Sequence, residues 1–304
     1  MSASGASALP RWRFGAVDVT PVVETTSAFS QEALLRLLPE ATPAALAELP
    51  WLAPRWADER FAMRFVTQSF LLVSEGRRVL VDTCLGNDKP RRNPAFDRLQ
   101  TRFLAELARA GAPPERVDVV LCTHLHFDHV GWNTRWDGGR WVPTFPNARY
   151  LVARSEWEHW AARSDHGWLF DDSLAPVAAA GLVDLVDPGH AVTGEVDLVA
   201  TPGHTPGHVS VRIRSHGEEA LVTGDLLHHP CQVARLAWGG PADADVTLAR
   251  ATRAAVVADA ERRGVVLLGS HFAEPAAGRV VTPSGSAERR FEGLCDAAPT
   301  CPAR

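Results

Sequence analysis

The segment Thr123-His124-Leu125-His126-Phe127-Asp128-His129 follows directly on an apolar stretch, Val117–Cys122, that predicts a buried strand. Histidines two positions apart project to the same side of an extended chain, and a turn after them can return the aspartate and the last histidine to the same point. Imidazole nitrogens favour borderline ions such as zinc, and a carboxylate adds an oxygen ligand. Histidines also cluster on surfaces, but four ligand-type residues behind a buried strand favour a metal site.

Three more candidate ligands stand at the ends of predicted strands. They are His204 in Thr201-Pro-Gly-His-Thr-Pro-Gly-His208, Asp225 in Thr223-Gly-Asp225 and His271 in Gly269-Ser-His271. Each follows an apolar strand and a glycine, as expected of a site built on loops at strand ends. Taken singly, each short motif is also compatible with an ordinary turn.

In this order, the four motifs resemble those of the metallo-β-lactamase superfamily, from about Phe61 to His271. No ligand position departs from the family's pattern. The resemblance implies that Asp225 bridges two metals, one held by His124, His126 and His204 and the other by Asp128, His129 and His271. Asp82, in Leu80-Val-Asp-Thr83, matches a family aspartate that orients a ligand imidazole. Its alternative interpretation is a turn residue at a strand end.

The order of elements predicts an α/β fold, a four-layer αββα sandwich of two mixed sheets flanked by helices. Residues 1–60 are expected to form an N-terminal arm with a disordered start, residues 61–282 the αββα domain, and residues 283–304 a C-terminal tail. The predicted strands are Trp12–Glu24, Phe61–Ser74, Arg78–Asp82, Val117–Cys122, Arg149–Val152, Leu182–Val186, Glu195–Ala200, His208–Arg214, Ala220–Thr223 and Val265–Leu268. The predicted helices are Ser30–Leu38, Pro43–Leu49, Pro94–Ala110 with Asn93 as its cap, Ser155–Ala162, Asp172–Ala180 and Asp245–Arg263.

Composition restricts the function classes. The 304 residues with 46% hydrophobic content can bury a large core, and a net charge of −5 disfavours a nucleic acid partner. Neither a signal peptide nor a run of about 18 apolar residues is present, so we expect a cytoplasmic protein without a membrane partner. Five cysteines without a CxxC pair favour reduced thiols, with Cys295 and Cys301 as one candidate pair.

The resemblance implies a hydrolase with two zinc ions per chain, although manganese, cobalt and iron suit the same ligands. A bridging hydroxide would attack the substrate, and Asp128 would pass a proton to the leaving group, although ligation lowers its basicity. In the lactonase branch a tyrosine assists the substrate oxygen. This chain has His228 at the corresponding place, either as a replacement donor or as an ordinary loop histidine. His208 is expected to bond within its loop and not to bind metal.

Six of the ten tryptophans lie between the first two motifs, and we expect Trp132, Trp136 and Trp141 to contact a small neutral or apolar ester; their alternative role is core packing. Gly224–Gln232 and Cys84–Asp88 resemble most the branch of acyl-homoserine lactonases and methyl parathion hydrolase. This implies lactone hydrolysis, with phosphotriester or aryl ester hydrolysis as the alternative. An iron-dependent oxidoreductase on the same fold is the alternative of another class. Relatives often form homodimers, and the N-terminal arm is a candidate interface.

Overall fold

The computed structural model describes residues 11–26, 29–163 and 167–294. The predicted disordered start and the pair Cys295 and Cys301 lie outside these residues. Within them, the first half of the chain forms the strands β1 (Trp12–Phe14), β2 (Val17–Thr25), β3 (Thr67–Ser74), β4 (Arg77–Val81), β5 (Val119–Cys122), β6 (Thr134–Asp137), β7 (Arg140–Pro143), β8 (Arg149–Ala153) and β9 (Val183–Val186). Seven of them form one mixed sheet in the order β1-β2-β3-β4-β5-β8-β9, and β6 and β7 form a separate hairpin.

The second half forms a six-stranded sheet. Its strands follow chain order and are β10 (Val196–Ala200), β11 (Val209–Ser215), β12 (Glu218–Val222), β13 (Val266–Leu268), β14 (Ala277–Val281) and β15 (Arg290–Gly293). Neighbours are antiparallel except β12 and β13, which are parallel. A long helix between β12 and β13 makes this parallel crossover.

The helices of the described residues are α1 (Gln31–Leu37), α2 (Pro43–Ala47), α3 (Phe103–Arg109), α4 (Phe127–Val130), α5 (Arg154–Ala161), α6 (Gly167–Leu169), α7 (Ala175–Ala179) and α8 (Val246–Arg263). A π-helical turn, Phe170–Leu174, joins α6 to α7. The helix α8 is capped at its N-terminus by Asp245, whose side chain accepts from the backbone N–H of Leu248, and at its C-terminus by left-handed Gly264. None of the helices in the described part of the chain is long and apolar enough to cross a membrane.

The alternation of side chains between the two faces of each strand explains why the sheet is covered on both sides. In β5, Val119 and Leu121 pack into the core shared by the two sheets, whereas Val120 and Cys122 pack against Phe103 on the outer side. Successive residues of a strand point to opposite faces, so a strand that is apolar throughout needs cover on both sides. The second sheet and the outer helices provide this cover. The predicted αββα sandwich is thereby confirmed.

The helix predicted over Pro94–Ala110 is wrong for most of its length, because only Phe103–Arg109 is helical. Asn93 accepts from the backbone N–H of Ala95, but as an isolated turn. The backbone N–H of Arg98 instead donates to the carbonyl of Lys89, and Arg98 has a φ of 45°. These contacts hold residues 88–102 as a loop, and tertiary packing overrides the helical pattern.

The N-terminal segment is more integrated than an arm suggests. The single strand predicted over Trp12–Glu24 is a hairpin, because Gly15 turns the chain at a φ of 59° between β1 and β2. Register pairs β2 with β3 from Asp18 to Thr25, so these residues belong to the first sheet. The domain limits at residues 60 and 282 remain predictions. The hairpin β6–β7 and the strands β14 and β15 were not predicted from the sequence.

Candidate metal centre

The candidate ligands meet at one edge of the sandwich because the strands that precede them end there. The segment 123–129 follows β5, His204 follows β10, Asp225 follows β12 and His271 follows β13. All are buried except His126, which is half-buried. The β-sheets therefore bring together residues up to 147 positions apart in the sequence, from His124 to His271.

The first ligand group consists of His124, His126 and His204. Nδ1 of His126 lies 3.0 Å from Nε2 of His124 and 2.9 Å from Nε2 of His204. Three ring nitrogens thus converge on one point. Together with Asp225 they form a set of ligand atoms lying within 4.8 Å of one another.

The second ligand group consists of Asp128, His129 and His271. Nε2 of His129 lies 3.2 Å from Nε2 of His271, and Oδ2 of Asp128 lies 4.0 Å and 3.7 Å from these two nitrogens. This group also lies within 4.8 Å. Two nitrogens and a carboxylate oxygen form the kind of mixed donor set that zinc accepts.

The carboxylate of Asp225 lies between the two groups and divides its oxygens between them. Oδ2 lies 3.3 Å from Nε2 of His204, whereas Oδ1 lies 3.1 Å from Nε2 of His129 and of His271. One carboxylate oxygen therefore faces each ligand group. This is the geometry that a bridging carboxylate requires.

Hydrogen bonds behind the ligands decide which ring nitrogen faces the centre. Nδ1 of His129 donates to Asp82 over 2.8 Å, Nδ1 of His271 donates to the carbonyl of Val66 over 2.8 Å, and Nδ1 of His204 lies 2.9 Å from Oδ1 of Asp243. With Nδ1 carrying the proton, each Nε2 keeps its lone pair toward the centre. Asp82 also accepts from the backbone N–H and the hydroxyl of Thr123, which precedes the first ligand.

The electrostatics of the centre favour positive charge there. Burial lowers the pKa of His204, but Asp225 and Asp243 oppose it and raise that pKa to about 9. Burial raises the pKa of Asp225, but His129 and His271 lower it by more, so it lies well below its usual range. Burial lowers the pKa of His124 and His126 well below the usual value. Without metal, His204 is therefore held as a cation beside the ionised Asp225, whereas His124 and His126 are neutral, and a bound ion would replace the extra proton of His204.

The chemistry of these donors fits divalent metal ions. Ring lone pairs that face one another at about 3 Å repel unless a cation or proton lies between them. His124, His126 and His204 would hold one ion, and Asp128, His129 and His271 the other. Such ions would supply positive charge beside Asp225 and would lower the pKa of a bound water.

Glu156 was missed by the sequence analysis. Its fully buried carboxylate accepts from the backbone N–H groups of Leu125 and Gly207 and from the ring N–H of Trp160, at 3.0, 3.0 and 2.7 Å. It thereby ties the loop of His124 and His126 to the loop of His204. A glutamate in the helical pattern of α5 carries no local signal of this role, because both loops are distant in sequence.

Three buried histidines outside the ligand set, His208, His228 and His229, differ in their surroundings. Nε2 of His208 accepts from the backbone N–H of Asp225, and its Nδ1 lies 2.8 Å from the hydroxyl of Thr201. His229 is buried and bonds the carbonyl of Trp56 through Nε2. His228 lines the cleft over the centre, and neither of its ring nitrogens has a hydrogen-bond partner among the described residues.

A cleft of about 560 Å³ opens over the centre. One wall is aromatic: Phe65 stacks on His271 at 4.3 Å between ring centroids, and Phe29 lies 5.0 Å from Phe65 and 4.9 Å from Phe96. Trp160 also lines the cleft, edge-on to His126 at 5.3 Å between ring centroids. The cleft can therefore take an apolar group beside a polar reacting centre.

The structure corrects the substrate contacts predicted for three tryptophans, none of which lines this cleft. Trp132 is buried against Phe103 and donates to Glu24. Trp136 and Trp141 lie in the hairpin β6–β7, where they contact each other at 5.0 Å between centroids. These two tryptophans pack within that hairpin, and the cleft is lined instead by Phe29, Phe65 and Phe96, which the sequence did not predict.

Residues 62–271 match the model of the family described as the metallo-beta-lactamase superfamily. This match covers more than half of the 304 residues, and the chain belongs to that family. The resemblance noted in the sequence is thereby confirmed.

Among characterised relatives, the chain is similar to an N-acyl homoserine lactonase of a Bacillus species, with 28% identity over 158 residues that make up 48% of this chain and 57% of that protein. The N-acyl homoserine lactonase AttM of Rhizobium radiobacter is 32% identical over 125 residues, 38% of this chain and 43% of AttM. The chain thus matches about half the length of these relatives.

Solved structures extend the likeness of fold to nearly the whole chain. The hydrolase AbOPH of the beta lactamase superfamily has a TM-score of 0.77 at 24% identity, covering 96% of this chain and 99% of its own. AidC, a dizinc quorum-quenching lactonase, has a TM-score of 0.75 at 18% identity, covering 95% and 98%. At these identities the likeness establishes the fold.

Proposed function

We propose that this protein is a dinuclear metal-dependent hydrolase that opens the ring of an acyl-homoserine lactone or a related ester. The observation that carries the proposal is the division of the Asp225 carboxylate, with one oxygen toward each ligand group at the floor of an aromatic cleft. The N-acyl homoserine lactonases among its relatives support the substrate class.

Two zinc ions at this centre would provide a water of lowered pKa and would draw charge from the substrate oxygen. The protein's own residues orient these donors. Asp82 and Asp243 fix the tautomers of His129 and His204, and Glu156 holds the two ligand loops together. Hydrogen bonds from such residues to the ligand side chains raise the basicity of the ligands and keep each imidazole ring in one orientation.

Asp128 is proposed to carry the proton to the leaving group. Its side chain is a ligand candidate, lines the cleft and is slightly exposed, so it can reach a bound substrate. His228 is proposed as a hydrogen-bond donor to the substrate oxygen. Its Nε2 lies 3.3 Å from Oδ2 of Asp225 and its ring faces the cleft.

The aromatic wall supports a substrate with an apolar portion. Phe29, Phe65 and Phe96 form a continuous surface beside the second ligand group, because Phe65 stacks directly on His271. An acyl chain or an aryl group would bury apolar area there, which stabilises the complex by roughly 25 cal/mol per Å².

A cytoplasmic location and a homodimer remain proposals that rest on the sequence. The buried free thiols of Cys84, Cys122 and Cys231 are compatible with a reducing compartment.

The test pairs metal analysis with substrate rates on the full chain. The bound metals are counted, and initial rates are measured with an acyl-homoserine lactone, an aryl ester and a phosphotriester. Asp225→Ala is the inactive control, and Trp136→Ala, on the exposed hairpin, is the active one. We expect about two zinc ions per chain and the highest kcat/KM on the lactone.

The other outcomes are equally informative. If kcat/KM is highest on the phosphotriester or the aryl ester, the lactone is not the preferred substrate, and the enzyme is of the methyl parathion hydrolase type. Bound iron without any hydrolysis would overturn the proposal in favour of an oxidoreductase on this fold.

A further inference from the structure

A single buried arginine lies behind the first ligand group. Arg253 of α8 is fully buried, and its Nε donates to the carbonyl of Leu226 over 2.9 Å. Its Nη1 donates to the carbonyls of Leu236 and Trp238 over 3.0 and 2.7 Å. One guanidinium therefore joins α8 to the residue after the bridging aspartate and to the loop that follows.

That loop returns to the metal centre through Asp243. Oδ2 of Asp243 lies 3.7 Å from Nη2 of Arg253, and its Oδ1 lies 2.9 Å from Nδ1 of His204. The backbone repeats the connection, because the N–H of Ala244 donates to the carbonyl of His204 over 2.9 Å. His204, Asp243 and Arg253 thus form one buried chain from the ligand to the helix.

Stability alone is a poor reason for this arrangement. Oδ2 of Asp243 and Nη2 of Arg253 have no well-aligned hydrogen-bond partner among the described residues. A buried ion pair with such gaps contributes little, and apolar side chains of similar volume often stabilise a fold as well or better. A carboxylate at Nδ1 of a histidine, in contrast, decides which nitrogen is free to bind a metal.

We propose that Asp243 and Arg253 are positioning residues that set the affinity of one ion, that of the first ligand group, independently of the other. Asp243 keeps the proton of His204 on Nδ1, and Arg253 holds the carboxylate in place. The inference rests on the proposed metal centre. The second group has its own supports, since His271 donates to the carbonyl of Val66 and His129 to Asp82.

The experiment measures ion affinity and does not depend on turnover. The full chain and the variants Asp243→Asn, Arg253→Met and Arg253→Lys are titrated with zinc against a chromophoric chelator, which resolves two stepwise affinities. Asparagine is isosteric, but its amide can donate to Nδ1 and move the histidine proton to Nε2. The matched control is Asp172→Asn, an equally buried carboxylate paired with Arg91 and Lys89 away from the centre.

We expect Asp243→Asn and Arg253→Met to lower the affinity for one ion about 10–100-fold and to change the affinity for the other by less than about threefold. Arg253→Lys should have an intermediate effect on the first affinity. In a His126→Ala background, where only the second group is intact, Asp243→Asn should cause no further loss. Equal weakening of both ions, unchanged affinities, or the same loss in Asp172→Asn would overturn the inference. A wild-type chain that binds two ions but hydrolyses none of the three substrates would overturn the proposed function alone.

Discussion

Nε2 of His208 accepts a hydrogen bond from the backbone N–H of Asp225 over 3.0 Å. An acceptor nitrogen carries no proton, so the proton of His208 lies on Nδ1, which donates to the hydroxyl of Thr201. That hydroxyl then donates to Ser210, whose own hydroxyl donates to the carbonyl of Thr223. A histidine outside the ligand set thus holds both ends of the turn that presents Asp225.

His208→Phe is therefore expected to weaken metal binding without removing a ligand. The buried N–H of Asp225 would lose its acceptor, which costs about 1–3 kcal/mol of stability, and ion affinity should fall about 10–100-fold. The matched control is His229→Phe, which removes another buried histidine that bonds only backbone groups. Zinc titration and chemical denaturation of both variants check this; an equal loss of affinity in the control would contradict it.

Removal of one ligand from either group is expected to cost only the ion that this group would hold. His126→Ala removes one nitrogen from the first group, and His271→Ala removes one from the second, so each variant should retain about one ion per chain of the two. Activity should fall at least about 100-fold in both, because two-metal hydrolysis uses both ions. Metal analysis after dialysis provides the measurement. Full metal content and full activity in His126→Ala would show that the assigned centre is wrong.

His228→Phe tests the proposed donor. The phenyl ring keeps the volume beside Asp225 but removes both nitrogens, so kcat should fall about 100–1,000-fold, the effect of losing a hydrogen bond made in the transition state. KM should change little, and both ions should remain. Steady-state kinetics with parallel metal analysis separates these effects. Unchanged kcat and KM with retained metal would return His228 to an ordinary loop histidine.

Lys89 is expected to make the free energy of unfolding depend on pH. It is buried against Trp141 and Thr134, and burial, which Asp172 opposes in part, lowers its pKa from 10.5 to about 7. Between these values the unfolded chain binds more protons than the folded protein, so the free energy of unfolding should rise with pH. Lys89→Met removes this contribution.

The measurement is urea denaturation of both proteins between pH 7 and pH 10, in the same metal-loaded state. We expect the wild type to gain stability relative to Lys89→Met as the pH rises. Parallel stability curves would mean that the lysine keeps its ordinary pKa in the folded state. Arg77→Met, at the exposed start of β4, is a control that should show no such divergence.

Gly131 is expected to tolerate no side chain. It follows α4 directly, and a Cβ there would overlap the backbone carbonyl of Leu85. Gly131→Ala should therefore cost about 1–3 kcal/mol or more, and it should lower ion affinity because His129 and Asp128 lie in the preceding turn. Gly167→Ala is the matched control, since nothing lies within 4 Å of its added Cβ. Equal melting temperatures for the two variants would contradict the expectation.

The residues that the sequence identified by itself share one property, which is that their signal is local. The motif of residues 123–129 needs only the two-residue period of an extended chain and the chemistry of its side chains. The apolar run of β5 predicts burial on both faces for the same reason. His204, Asp225 and His271 were found because each follows its own apolar strand, and the family resemblance then united them.

Tertiary structure alone decided the supports of the centre and the cleft. Asp243 contacts His204 from 39 positions away, and Glu156 joins backbone N–H groups of Leu125 and Gly207 at separations of 31 and 51 positions. No local period encodes such contacts. The loop over residues 88–102 and the tryptophans packed away from the cleft have the same origin, because an amphipathic or aromatic segment specifies that it will be buried but not against which partner.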